Sequence, residues 1–186
     1  MGSASSIRWR PRGQRLALKS SRTRSGRSVS AAPQVLDPGV VLNELLNLDD
    51  ALMLQAYYSE RSVFYNPGRS APLGVIFASI KEHDGPNDAR SNLNRLGVYR
   101  FAFQLSQEEY EARFGRVPPR PAKGEFVRVD HEVSTLDVLA PHPIYAWMRW
   151  VQVLSPSRRT FDSLLPVLEE SLAPVKERWE ARVATR

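Results

Sequence analysis

Few side chains in this sequence have both the type and the setting for chemistry. His142 stands in Ala140-Pro141-His142-Pro143-Ile144-Tyr145. Flanking prolines hold such a backbone extended, which would aim the imidazole into a cleft as a general acid or base. The competing reading is a histidine hydrogen-bonded in a rigid approach to the Trp147–Trp150 region. His131 follows Asp130, a His–carboxylate pairing used to orient bases and metal ligands, but adjacent strand residues point to opposite faces. Asp84, Asn87 and Asp88 are oxygen donors for a hard cation such as calcium. Their spacing does not follow the twelve-residue calcium loop, and an ordinary capped turn explains them. The three histidines, at 83, 131 and 142, show no local zinc spacing. With no cysteine, disulfides, thiolate zinc sites, iron–sulfur clusters and a thiol nucleophile are excluded. There is no phosphate loop, no glycine-rich dinucleotide fingerprint and no Gly-x-Ser-x-Gly elbow. No metal or cofactor is therefore expected, and Trp147, Trp150 and Trp179 are assigned to the core before any cofactor.

The elements that must position these residues can be read from periodicity. Asp37-Pro38 is a cap followed by proline at the first helical position, and Val41, Leu42, Leu45 and Leu46 recur at helical spacing to about Asn47. Leu52–Tyr58 and Ser62–Tyr65 are β-prone, are separated by the polar break Ser59-Glu60-Arg61, and should form a hairpin. Val75–Lys81 is a third strand. Val98–Leu105 is the clearest strand: Tyr99, Phe101, Phe103 and Leu105 share one face, and Val98, Arg100, Ala102 and Gln104 share the other, which should be wetter. Ser106-Gln107-Glu108-Glu109 is a capping box opening a helix that should stop at Gly115. Residues 116–124, rich in proline, form a loop. Arg149–Leu154 is a fifth strand. Ser155-Pro156 opens a last helix whose stripe Phe161, Leu164, Leu165, Leu168, Leu172, Val175 and Trp179 should lie on a sheet, with kinks or a break at Pro166 and Pro174. The fold class is α+β: a largely antiparallel sheet of about five strands with helices packed on one face, in the order α-β-β-β-β-α-loop-β-α.

Charge divides the chain in two. Arg8, Arg10, Arg12, Arg15, Lys19, Arg22, Arg24 and Arg27 fall in residues 1–32, which hold no acid; the remaining 18 of the 26 Lys+Arg face all 20 Asp+Glu in residues 33–186. The +6 formal charge thus belongs to an Arg/Ser-rich leader with little to bury, expected to be disordered. That leader reads as a basic arm for nucleic acid or acidic partners, as an organellar transit peptide, as an inert tail, or as sequence upstream of a true start near Val35, Val40 or Val41. Residues 33–186 form one domain with no bulk attraction to phosphate, so nucleic acid would bind only through residues 1–32. No apolar run reaches membrane-spanning or secretory-signal length, so a cytoplasmic protein is expected.

Four strings carry a resemblance. They are Phe64-Tyr65-Asn66-Pro67-Gly68; Phe77-Ala78-Ser79-Ile80-Lys81; Ser91-Asn92-Leu93-Asn94-Arg95-Leu96-Gly97-Val98-Tyr99-Arg100; and His142-Pro143-Ile144-Tyr145 with Trp150-Val151-Gln152-Val153-Leu154-Ser155-Pro156. In this order, across about residues 38–182, the chain resembles DUF6194, a bacterial, mainly actinobacterial, domain family of unknown function. It departs at Leu96, where the family usually has proline before the glycine. The resemblance implies no activity and carries over no catalytic residue. The polar residues of these strings fall at strand ends and in loops, where sites form. Lys81, Asn92, Arg100, His142 and Tyr145 are therefore the candidate binding set. It would take a small molecule or a protein partner; the alternatives are an enzyme using His142, or nucleic-acid binding through the leader.

Overall fold

Asp37 and Pro38 start the first helix as their types require: the Asp37 carboxylate accepts from the Gly39 amide at 2.7 Å, and α1 runs Pro38–Leu46. The computed structural model describes residues 34–57 and 60–185, so the expectations for the leader lie outside the described residues. After α1 come β1 (Leu52–Tyr57), β2 (Glu60–Tyr65), β3 (Val75–Lys81), β4 (Arg100–Gln104), α2 (Gln107–Phe114), β5 (Leu139–Pro141), β6 (Trp150–Leu154) and α3 (Arg158–Ala184). All strand pairs are antiparallel, in the order β1-β2-β3-β4-β6-β5. The fold is thus the α+β class expected, with six strands in place of five. The extra one, β5, has three residues, too few for a periodic signal.

One face of the sheet is the core. Val63, Ala78, Ile80, Phe101, Phe103, Val151 and Val153 pack against Val41, Leu42 and Leu45 of α1, Tyr110 of α2, and Phe161, Leu164, Leu168, Leu172 and Val175 of α3. Phe101 sits between Phe103 and Phe161, at ring-centroid distances of 5.2 and 5.9 Å. Ser106 caps α2 through the Glu109 amide, and Gly115 ends it at φ 76°. The reciprocal half of the capping box is not made, because Glu109 turns to Arg113. The expected breaks at Pro166 and Pro174 do not occur, and α3 is one helix of 27 residues. Both prolines and the residues four before them, Asp162 and Glu170, are exposed. Water can therefore satisfy the carbonyls that each proline leaves unpaired.

The opposite face is where the expectation of a wet surface fails. Arg100 and Ala102 of β4 are both buried, because two long connections fold over this half of the sheet. Gln152 on β6 ties both down: it accepts from Ser91 Oγ at 2.9 Å and donates to the Val133 carbonyl at 2.7 Å. Leu93, Val98 and Leu154 form a small second core beneath the first connection. Over β2 and β3 the same face has no such cover, and a cleft remains.

Candidate functional site

A bulge in β3 builds the floor of the cleft. Val63 pairs with Ala78 and Phe64 with Ile76, so Phe77 opposes no residue of β2. The extra residue shifts the alternation, and Ile76 and Ser79, three apart, face the same side. With Ser62, the cross-strand partner of Ser79, they line a cavity of about 210 Å³ whose other walls are Glu60, His142, Tyr145, Met148 and Trp150. Ser62 and Ser79 are 1% and 4% exposed. Neither hydroxyl has a hydrogen-bond partner among the described residues, and both sit on the cavity wall. The side chains are otherwise packed, so the cavity is where each hydroxyl, still reachable by solvent, must find its partner.

His142 reaches this wall through the short connection from β5 to β6. Its amide donates to the Trp150 carbonyl at 2.9 Å. The chain then turns through a single 3₁₀ turn, Ala146–Met148, and returns to β6 at Arg149, which takes φ 63°. The imidazole folds back over this turn, and Nδ1 accepts from the amides of Ile144 and Tyr145 at 3.1 and 3.2 Å. A nitrogen that accepts two N–H groups carries no proton, so in the neutral ring the proton is on Nε2. The ring is held well below its ordinary pKa, first by burial and then by the Arg100 charge, with Lys81 adding to it and Asp88 opposing. His142 is therefore a neutral hydrogen-bond donor whose basic nitrogen is occupied by backbone. A general-base role at Nε2 does not fit this tautomer.

Behind the cavity lies a buried charge cluster. Arg100, 1% exposed, grips Asp88 with both terminal nitrogens, and Lys81 Nζ reaches the same carboxylate at 2.8 Å. Burial alone would raise the Asp88 pKa; the hydrogen bonds and charges of Arg100 and Lys81 outweigh it and hold the carboxyl well below the usual range. Glu60 stands further off, with Oε1 3.3 Å from Lys81 and 3.8 Å from Arg100. A second hollow, of about 480 Å³, opens on the far side of Glu60 and Tyr145, lined also by Lys81, Asp88, Glu125, Phe126 and Ile144.

Of the sequence-derived set, His142 and Tyr145 meet at the first cavity, with ring centroids 4.9 Å apart. Lys81 lines the second hollow, and Arg100 is buried beneath the cluster as an organiser with no place on either wall. Asn92 is elsewhere: it is an exposed turn residue at φ 51°, and its buried neighbour Ser91 is the one that holds the sheet. His131 is exposed and packs edge-on against Phe114, at 5.3 Å between centroids. Of the three oxygen donors considered for calcium, two are engaged within the protein: Asp84 accepts from the Leu93 amide at 2.9 Å, and Asp88 holds the two cations; Asn87 is exposed. Among the described residues, no group of three His, Asp or Glu stands close enough to hold a metal ion. Sequence reasoning missed Glu60, Ser62 and Ser79. The available signal was a polar residue at alternate positions in otherwise apolar strands, with Ser79 set between Ala78 and Ile80.

These features define an antiparallel α+β domain with its helices on one face and a part-covered, part-open cleft on the other. The chain belongs to DUF6194, a family of unknown function, which it matches over residues 36–184. At Leu96, where a proline was expected, the side chain is fully exposed at a turn, so the change costs no packing. No curated protein and no solved structure matches the chain. No described helix is long and apolar enough to cross a membrane.

Proposed function

We propose that this domain binds a small organic molecule in the cleft over β2 and β3. The observation that carries the reading is a pair of nearly buried serines, Ser62 and Ser79, whose unpartnered hydroxyls open on a cavity wall that also carries His142. Small-molecule sites are mostly apolar concavities with a few convergent polar groups. Here Ile76, Met148, Trp150 and Tyr145 supply the apolar and aromatic walls. The serines can donate or accept, and His142 offers a donor whose direction the backbone fixes. A ligand with an apolar body and an oxygen acceptor completes what the floor leaves open. The cavity of about 210 Å³ limits the buried part to something smaller than a typical drug-sized ligand.

The test is a saturation-transfer NMR screen of small aromatic and aliphatic alcohols, amides, amines and acids. Binding is expected to the wild type and to be lost in a Ser62→Val/Ser79→Val variant. A library that gives no competitive, serine-dependent binder would refute the reading. An enzymatic role for His142 is narrowed by its geometry to polarising a bound oxygen by hydrogen bonding, with no proton abstraction at Nε2.

A further inference from the structure

The geometry points to a protonated amine as the charged group of the ligand, with Glu60 as the residue that recognises it; this rests on the cleft being a ligand site. Glu60 is on the wall of both hollows, so it stands where they meet. Oε1 lies 3.3 Å from Lys81 and 3.8 Å from Arg100, yet the Glu60 carboxylate accepts no hydrogen bond among the described residues. The nearby cations are already committed elsewhere: Arg100 is doubly bonded to Asp88, and Lys81 is closer to Asp88, at 2.8 Å, than to Glu60. Glu60 is thus a carboxylate whose nearby cations are bonded to another acid and which is left without a hydrogen-bond donor of its own.

The neighbouring acids are provided for. Asp88 holds Arg100 and Lys81, and Glu125 shares the adjoining groove with Arg90. Glu60 is the carboxylate on both walls that no donor engages. An anionic ligand would have to approach it, whereas an ammonium group supplies the N–H donors it lacks. The rings of Tyr145 and Trp150 on the first cavity add faces that attract an ammonium group. Ser62 and Ser79, 1% and 4% exposed with unpartnered hydroxyls on the cavity wall, are the independent sign that something polar is accommodated there. The ligand class is a small primary or secondary amine with an aromatic or branched aliphatic body, carrying an oxygen acceptor within reach of His142 and the serines.

Three probes of matched length separate charge from shape: 2-phenylethylamine, 2-phenylethanol and phenylacetate. Each is titrated into the full chain and followed by NMR. The amine is expected to bind at least tenfold more tightly than the alcohol, and the carboxylate most weakly. Glu60→Gln should bring amine and alcohol to the same affinity, whereas Glu60→Asp should keep part of the preference; thermal unfolding of both variants shows that they are folded. Tighter binding of the carboxylate, or an amine preference that survives Glu60→Gln, overturns the inference. If the alcohol binds in a Ser62- and Ser79-dependent way without any preference for the amine, the charge assignment fails and the cleft stands. If no probe perturbs the cleft, both fail.

Discussion

Replacing Ser62 and Ser79 together by valine should make this protein more stable while removing its ligand site. Both residues lie on adjacent strands as direct partners, and both are largely buried, with hydroxyls that reach only the cavity. A buried hydroxyl left without any bond costs about 1–3 kcal/mol. Here cavity water relieves most of that cost, so the gain on removing the hydroxyls is a small part of it. Valine also adds carbon to an apolar wall, about 0.8 kcal/mol per buried methylene, and prefers strands. Crowding against Ile76 and Trp150 offsets part of this gain. A net of roughly 1 kcal/mol per site follows from these terms. For a chain of this size that corresponds to a rise in Tm of about 4–8 °C for the pair. Differential scanning calorimetry of wild type and the double variant measures it, with both single variants included because neighbouring sites need not add. A fall in Tm would refute the reasoning, since it would show that the hydroxyls hold the strands together. A rise in Tm with unchanged ligand binding would refute the assignment of the cavity as the site. Stability stored as vacant polarity is characteristic of functional sites, which give up stability for a ligand.

Other expectations follow from the same structure. Asp88→Asn leaves Arg100 buried without its counter-charge and should cost about 3–5 kcal/mol in denaturant unfolding; a loss below 1 kcal/mol would mean that the cluster is solvated. His142 is neutral when folded, whereas the unfolded residue takes up a proton near pH 6.5, so the unfolded state binds more protons below that pH. Stability should therefore fall as pH drops from about 6.5 to 5, by up to about 1.4 kcal/mol per unit, and His142→Asn, which keeps an acceptor for the two amides, should flatten that slope. An unchanged slope in urea titrations at several pH values would show that His142 is protonated in the folded protein. Leu168→Ala, at the centre of the α3–sheet interface, should cost about 2–5 kcal/mol, and a much smaller loss would place α3 outside the cooperative unit.

Local chemistry decided much of this fold, and it could be read directly. Asp37, Ser106 and Gly115 mark helix ends because caps are set by a residue and its nearest amides. The stripe from Phe161 to Trp179 and the alternation of Phe101 and Phe103 depend only on helix and strand periods, so the helix-covered face was legible. His142 and Tyr145 could be singled out because two prolines restrict the chain around them. Other features needed the tertiary structure because they depend on contacts far apart in sequence. Arg100 looked like a solvent-facing strand residue; it is buried because Asp88, in a connection twelve residues earlier, folds over it. The bulge at Phe77 is a property of the pairing between β2 and β3, and it alone puts Ile76 beside Ser79. Glu60 was read as part of a polar break, and Ser62 as an ordinary strand residue. Their shared cavity exists because the connection from β5 to β6 brings His142, Tyr145 and Met148 across three intervening strands' worth of chain. Periodicity assigns a side chain to a face; only the packed chain determines what covers that face and which polar groups are left there without a partner.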